Sequence, residues 1–446
     1  MLRSSNSFTS IIERRYSRAF LMSLPVLSII ALVLAILISC VSRFNVGLLA
    51  IAFAFLVGVV FGRMSVAEVM AAFPSSLFLT LIGVMFFFSQ AAVNGTLDKI
   101  TQSSLKLARG RVGMIPVIFF FISLVFSSIG PGAIATVAFL APVAMNLAGR
   151  VGISGFLMAI VLCSGANAGT LSPIAPSGVI ANSLMGRIQI TGQESAIYLN
   201  NLYIESIVGL GGYFILGGYQ LLTRPRVKGI EDENAFGLGR VEPMTWNQKL
   251  TLALIALLIA AVVFLKIDVA MGAFMAAAIL TLVRASDEQA ALKALPWNVI
   301  VMVCGVIVLI SILEKKGGMD LFITILSKFA TKTSVNGVIA FVAGLISVYA
   351  SSAGVVMPAF IPTIPGLIAK LGGGDPIAIA GSISVGAMIV DTSPLSTAGA
   401  LCIASAAPSE DRRSLFNKML AWGLSMSLVG ALVCWVFFGL LSGKKN

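Results

Sequence analysis

The sequence has 446 residues, of which 58% are hydrophobic and only 11% are charged, whereas a soluble protein carries roughly 25% charged residues. This composition excludes a water-soluble globular protein, because so few charged side chains cannot cover a body of this size. The formal net charge of +12 does not indicate a nucleic-acid partner, since the lysines and arginines are scattered through short loops and form no basic patch.

Apolar runs of about 20 residues, the length that crosses a hydrocarbon core of ~30 Å, recur along the chain. Six runs lie at 22–41, 45–62, 76–93, 112–148, 152–190 and 200–222, and six more at 247–265, 268–284, 296–314, 335–370, 376–407 and 418–441. We therefore predict an all-α integral membrane protein. Its parts would be an N-terminal extension (1–21), a first repeat (22–222), a polar linker (223–246) and a second repeat (247–446).

The two sets of runs carry matching residues at a nearly fixed spacing. Four pairs are separated by 222 positions: Pro74 and Pro296, Gly83 and Gly305, Gly95 and Gly317, Asp98 and Asp320. An SSxG motif at 127–130 returns at 351–354, and a longer GA-x5-SP-x4-G pattern at 165–178 returns at 386–399. Such self-similarity is typical of transporters built from internal repeats.

The matching runs also predict how each half is folded. If each half has five crossings and one element that enters and returns, the second half lies upside down relative to the first. The elements 112–148 and 335–370 are candidates for re-entrant hairpins, because SSxG lies near their middles. The elements 152–190 and 376–407 contain Gly, Ser, Thr and Pro and are interpreted as broken helices. We predict two inverted repeats of five transmembrane helices, each with a re-entrant hairpin and a broken helix.

These interruptions predict a cavity, because irregular backbone survives in a bilayer only against protein or water. Helix N-termini at hairpin tips and breaks would present amide donors and a partial positive charge, which suit an anion. The alternative is that serines and threonines bond to their own helices while glycines allow close packing. That alternative fits single residues, whereas the repetition of whole clusters favours the cavity.

Most polar residues at the breaks are neutral donors and acceptors, suited to a carboxylate and a coupling cation together. The candidates for substrate binding are Ser128, Gly130, Asn167, Thr170, Ser172, Ser352, Gly354, Ser393, Ser396 and Thr397. The candidates for the coupling ion are Ser127, Gly169, Ser351, Asp391 and Thr392. No metal other than Na⁺ is expected.

Asp391 differs from the other candidates, because an ionisable side chain inside a membrane is costly and indicates a function. Its counterpart in the first half is the neutral Thr170. We expect Asp391 to bind a cation or carry a coupling proton, with a purely structural carboxylate as the alternative. Glu205 and Glu314 are expected near helix ends, in snorkelling or structural roles.

Four segments around these positions are the most distinctive of the sequence: NGTLDKI at 94–100, SSIGPGAIATVAFLAPVAM at 127–145, SGANAGTLSPIAPSGVIANSLM at 164–185 and VDTSPLSTAGALCIA at 390–404. Together they resemble the ion-transporter (divalent anion/sodium symporter-like) superfamily, and most of all its MatC-type malonate/dicarboxylate carriers. The resemblance implies Na⁺- or H⁺-coupled transport of a small dicarboxylate, elevator-like motion and a homodimer.

The tips of the hairpins depart from the pattern of the related sodium/dicarboxylate symporters. Those proteins carry a Ser-Asn-Thr signature at each tip, whereas this chain has Ser-Ile-Gly at 128–130 and Ser-Ala-Gly at 352–354. The MatC-like pattern permits Asn167 and Thr170 to make the polar contacts instead.

We therefore expect a secondary transporter of small organic anions in the inner (cytoplasmic) membrane. It would have no cofactor besides the coupling ion, and its partners would be a small carboxylate, the lipid bilayer and a second copy. Two alternatives stay open: the large membrane subunit of a tripartite carboxylate transporter, which needs a periplasmic binding protein, and a Na⁺/H⁺ antiporter centred on Asp391. An enzyme is not expected, because the sequence has no histidine and shows no nucleophile–base pair, paired acids or metal-ligand spacing.

Overall fold

The computed structural model describes residues 24–41, 44–105, 111–224, 243–265 and 267–441. Within these ranges every regular element is helical, and six helices are long and apolar enough to cross a membrane. The prediction of an all-α membrane protein is thus confirmed. The predicted N-terminal extension and most of the predicted linker lie outside the described residues, so the repeat boundaries stay predictions.

The described helices fall into two series of ten, apart from four short segments that continue a longer helix, namely Leu56–Phe61, Phe214–Gly218, Tyr219–Thr223 and Trp435–Leu441. The first series is α1 (Leu24–Val41), α2 (Val46–Phe55), α3 (Val66–Met70), α4 (Ser75–Val93), α5 (Thr96–Leu105), α6 (Met114–Ile129), α7 (Gly132–Arg150), α8 (Gly155–Gly169), α9 (Pro176–Arg187) and α10 (Glu194–Tyr213). The second series is α11 (Trp246–Leu265), α12 (Val269–Leu282), α13 (Glu288–Lys293), α14 (Trp297–Lys315), α15 (Gly318–Ser327), α16 (Val335–Ser347), α17 (Ser352–Leu371), α18 (Pro376–Met388), α19 (Thr397–Ala404) and α20 (Arg412–Cys434).

The helix order is the same in both series, so that each helix of the first half corresponds to the helix numbered ten higher. The residues that repeat in the sequence mark the same turns. Pro74 and Pro296 directly precede α4 and α14. Gly95 and Gly317 precede α5 and α15 with φ of 74° and 76°, a left-handed conformation that glycine adopts without steric cost.

Contacts between the halves also occur in matched pairs. Helix α2 packs along α14 as α12 packs along α4, and α8 contacts α20 as α18 contacts α10. Likewise α7 packs on α19 and α17 packs on α9. This exchange of partners is what a two-fold relation between two repeats produces.

The predicted interruptions lie where the chain turns or breaks. The first SSxG motif ends α6, and the chain reverses at Gly130 and Pro131 to begin α7. The second motif begins at Ser351, the N-cap in the turn after α16, and continues through the first residues of α17. Both broken helices are present, with α8 and α9 separated by residues 170–175 and α18 and α19 separated by residues 389–396.

Several helices differ from the predicted apolar runs. Helices α10 and α20 begin at Glu194 and Arg412, about six residues before the runs predicted at 200 and 418, because their first turns are polar. The Asp411 carboxylate caps α20 by accepting bonds from the amides of Arg413 and Ser414. The short helices α3, α5, α13 and α15 were not predicted, since they are shorter than a membrane span and partly polar.

The helices pack as two groups, each with members from both halves. Helices α2 and α4 pack with α12 and α14 in the first group, and α6 to α8 and α10 pack with α16 and α18 to α20 in the second. The groups meet where α17 packs against α14 and α15 and where α9 packs against α4. Helix α7, the counterpart of α17, makes no comparable contact with α4 and α5, and a space remains there.

Candidate functional site

A cavity of about 650 Å³ occupies this space between the two groups. Its wall contains the start of α7, both helix breaks, the tip of the second hairpin and one side of α4 and α14. The volume lies within the 300–1,000 Å³ usual for small-molecule sites. The cavity therefore lies where the repeated interruptions predict one.

Four helices begin at the wall of the cavity. The lining includes the first residues of α7 (Gly132 and Ala133), α9 (Pro176 and Ser177), α17 (Ser352 and Ala353) and α19 (Thr397 and Ala398). The first amides of a helix have no partner inside the helix, and its N-terminus carries a partial positive charge. The cavity is electrostatically suited to an anion, although no lysine or arginine is among the described residues that line it.

The N-termini of the two halves are capped differently. In the second half, Ser351 Oγ accepts a bond from the Gly354 amide at 3.0 Å and Ser396 Oγ accepts one from the Gly399 amide at 3.2 Å. In the first half, Pro131 and Ala175 stand at the N-caps of α7 and α9, and neither provides a capping side chain. Two early amides on that side are instead bonded by the break, since Thr170 accepts from the Ala133 amide through Oγ1 and from the Gly178 amide through its carbonyl.

Asp391 is the only acidic or basic residue among the described residues that line the cavity. The hydroxyl of Ser352 lies 2.6 Å from both of its carboxylate oxygens, 2.8 Å from Ser347 Oγ and 3.2 Å from the Ala387 carbonyl. The Ser352 hydroxyl thereby connects the tip of the second hairpin to the second break.

The corresponding residues of the first half are arranged differently. Ser128, the counterpart of Ser352, lies 3.0 Å through Oγ from the hydroxyl of Tyr198 on α10. Thr170, the counterpart of Asp391, accepts a bond from the Ala133 amide at 3.3 Å and donates to Ser177 Oγ at 3.2 Å. The two halves of the cavity are thus chemically unequal.

An amide on α8 joins the two breaks. Asn167 donates through Nδ2 to the carbonyl of Met388 at 3.0 Å. Met388 is the residue that corresponds to Asn167 in the second half. On α10, Asn201 donates to the carbonyl of Asn167 at 2.7 Å. The ends of the two interrupted helices are held next to each other by these side chains.

The predicted site residues divide into two sets. Those that line the cavity are Asn167, Thr170, Ser351, Ser352, Asp391, Ser396 and Thr397. Those outside its lining are Ser127, Ser128, Gly130, Gly169, Ser172, Gly354, Thr392 and Ser393. The carbonyls of Ser172 and Ser393 pack against Gly178 and Gly399, where an added Cβ would lie 1.9 and 2.0 Å away. This close packing accounts for the repeated Ser-Pro-x4-Gly spacing.

Four polar lining residues were not predicted, namely Ser89, Thr136, Ser177 and Tyr349. Ser89 lies on α4, far in sequence from either break, and no local pattern marks it. Ser177 is one residue into α9, so the start of that helix could have indicated it.

The expectation that Glu205 lies near a helix end is wrong. It lies within α10, which extends from Glu194, and its side chain is only 1% exposed, so snorkelling is excluded. Because the first turns of α10 are polar, its apolar run begins only at 200, six residues after the helix itself begins. Glu314, in contrast, is exposed near the end of α14.

The fold and the cavity together define a multi-pass membrane transporter. The family profile for the dicarboxylate carrier protein MatC N-terminus matches residues 22–170, about a third of the chain, which confirms the resemblance to MatC-type carriers over that range. Among curated proteins, no sequence matches the chain.

Two solved transporter structures are similar to the chain in fold. The YdaH transporter of Alcanivorax borkumensis, described as having an unusual topology, has a TM-score of 0.55 and 17% identity over 83% of this chain and 87% of its own. MtrF of Neisseria gonorrhoeae, described with a class of antimetabolite efflux pumps, has a TM-score of 0.53 and 14% identity over 83% and 82%. At such identities the similarity concerns the fold alone.

Proposed function

We propose that this protein is a secondary active transporter of small organic anions of the malonate and C4-dicarboxylate class, coupled to Na⁺ or H⁺, in the inner (cytoplasmic) membrane. The observation that carries the proposal is the cavity at which four helices begin and in which Asp391 is the one acid among the described lining residues. The match to the MatC dicarboxylate carrier N-terminus supports the substrate class.

The unequal charge of the two halves of the cavity suggests where each partner binds. A carboxylate group is best placed at the N-termini of α7 and α9, because this side of the cavity carries Thr170 where the other carries Asp391. Ser177 lies at the same place, and its hydroxyl, which accepts a bond from Thr170, can donate to the carboxylate. The second-half side, with its capped helices and Asp391, is suited to a cation.

Coupling follows from the charges. An ionised Asp391 repels an anionic substrate in the same cavity, and this repulsion is strong where water is excluded. A cation bound at Asp391, or a proton on it, removes the repulsion and allows the anion to enter. Substrate and ion would then move together.

The unequal docking of α7 and α17 supports an elevator-type movement, while the tip of the first hairpin at Gly130 stays packed against Phe88 on α4. Helix α17 packs against α14 and α15, whereas α7 is separated from α4 and α5 by the cavity. The exchange of contacts between the halves permits an opposite state in which α7 docks and α17 separates. The group that contains both breaks would slide along the group that contains α4 and α14. We also propose that the protein forms a homodimer.

The test is uptake of labelled malonate and succinate into proteoliposomes that contain only this protein, with imposed Na⁺ or H⁺ gradients. We expect gradient-driven uptake by the unmodified protein and its loss in Asp391→Asn. The matched control is Asp320→Asn, which makes the same change at an exposed position on α15 and should transport normally.

Three results would contradict the proposal. Absence of uptake unless a periplasmic binding protein is added would identify the membrane subunit of a tripartite system. Exchange of Na⁺ for H⁺ without any organic anion would identify an antiporter. Normal coupled uptake by Asp391→Asn would show that this carboxylate is structural.

A further inference from the structure

Three buried acceptor oxygens near the first break have no hydrogen-bond partner. They are Asn167 Oδ1, Asn201 Oδ1 and Glu205 Oε1, and the three side chains are at most 1% exposed. Buried polar atoms are nearly always paired. Three unpaired oxygens on neighbouring residues therefore mark a place where a ligand can bind.

The three residues share one interface. Asn201 and Glu205 are one turn apart on the same face of α10, and Asn201 bonds to the carbonyls at the end of α8. Farther along, Gly209 packs against Ser164, since a Cβ added at Gly209 would lie 2.6 Å from Ser164 Cβ. The helices are thus antiparallel, and Glu205 lies opposite the turn of α8 between Ser164 and Asn167.

The direction of both amide groups is fixed by their partners. Asn201 Nδ2 donates to the Asn167 carbonyl and Asn167 Nδ2 donates to the Met388 carbonyl. A backbone carbonyl can only accept, so neither amide can be turned around. Both Oδ1 atoms consequently point away from these bonds, as acceptors without a donor.

The charge of Glu205 also requires a partner. Among the described residues no lysine or arginine pairs with it, and the ionisable groups near it are Asp391, of the same charge, and the thiols of Cys163 and Cys434. A carboxylate buried in a membrane protein needs a compensating charge. A proton on Glu205 would provide one donor and leave other acceptors unpaired, whereas one cation satisfies several oxygens at once.

Amide and carboxylate oxygens are ligands for hard cations. A single carboxylate balances a monovalent ion, and the described residues contain no cluster of three acidic, cysteine or histidine side chains that could hold a divalent metal. We propose that Asn167, Asn201 and Glu205 form a sodium site between α8 and α10, separate from Asp391. The sodium site itself does not depend on the proposed function. Only the role of this ion in coupled transport rests on it.

The site would act on the substrate cavity through Asn167. This residue lines the cavity and holds the end of α8 next to α18. A bound Na⁺ fixes its amide and so fixes the first break, next to Thr170. Occupation of the site therefore prepares the first-half side for the substrate.

The test is thermal unfolding of the full-length purified protein in NaCl or choline chloride at equal ionic strength, without any organic anion. We expect stabilisation by Na⁺, and a half-saturating concentration raised at least about tenfold in Glu205→Gln, because even outer-shell residues of metal sites contribute roughly 10–100-fold. Glu205→Asp, which keeps the charge, should retain a weaker response. Glu314→Gln, the same change at an exposed residue, should respond as the unmodified protein does.

An unchanged Na⁺ response in Glu205→Gln would overturn the site, and so would the absence of any Na⁺-specific response in the unmodified protein. Loss of the response in Asp391→Asn would show that the two acids share one site. The assay contains no substrate and no gradient, so failure of the transport proposal would leave its result intact. Conversely, normal uptake with no Na⁺ response would refute only the sodium site.

Discussion

The Ser352 hydroxyl lies 2.6 Å from each carboxylate oxygen of Asp391 and joins the second hairpin to the second broken helix. A hydroxyl has one proton, so the two oxygens share it. A cation that binds Asp391 competes for the same oxygens. Ion binding and the position of the hairpin tip are therefore coupled through this one contact.

Replacing Ser352 by alanine should destabilise the protein, because hydrogen bonds to charged groups contribute about 1.5–3 kcal/mol. The cost should be largely absent when Asp391 is already asparagine. Thermal unfolding of both single variants and the double variant measures this coupling. Ser425→Ala removes a hydroxyl that bonds only its own helix and should have little effect; additive changes in the cycle would contradict the coupling.

Gly130 at the first hairpin tip should not tolerate a side chain. A Cβ at this position would lie 1.7 Å from the ring of Phe88 on α4, and φ is 152°. Gly130→Ala should cost about 1–3 kcal/mol from overpacking and lower uptake. Gly186→Ala, with nothing within 4 Å of its added Cβ, is the control. Partial recovery in the Gly130→Ala, Phe88→Ala pair would confirm that the ring is the obstacle.

A negative charge at Thr170 should prevent transport. Two like charges ~5 Å apart at an effective dielectric of about 20 repel by about 3 kcal/mol, which weakens substrate binding about a hundredfold. Thr170→Asp should therefore show a strongly raised KM for malonate. Thr170→Asn, of equal size but neutral, should stay close to the unmodified protein. Similar KM values for both variants would place the anion elsewhere in the cavity.

Cys163 and Cys402 should form a disulfide under mild oxidation, since their sulfur atoms are 3.6 Å apart on α8 and α19. Both helices belong to the second packing group. Counting free thiols before and after oxidation measures the reaction, and Cys304 on α14 should stay free. If that group moves as one body, the cross-linked protein should still transport; arrested uptake would show that α8 and α19 move relative to each other.

The sequence was sufficient to locate the hairpins and the breaks, because Gly, Pro and Ser interrupt the apolar runs at matching offsets. These residues determine the backbone conformation locally, without help from the rest of the fold. Ser352 and Asp391 could be identified for the same reason. The bond between Ser128 and Tyr198 could not, since it depends on how α10 packs. The position of Glu205 within α10 could not be predicted, because the polar first turns of this helix are not part of an apolar run. Whether such turns are helical and buried depends on the neighbouring helices.

The close crossing of α2 and α14 has a consequence for how the protein is made. A Cβ on Gly305 would lie 2.1 Å from the carbonyl oxygen of Gly47, so the two backbones touch, yet most of the chain is synthesised between them. Helix α2 is therefore in the membrane without its packing partner until α14 has been synthesised. Neither half can complete its packing alone, and biogenesis depends on the later half reaching the bilayer before the earlier one aggregates or is degraded.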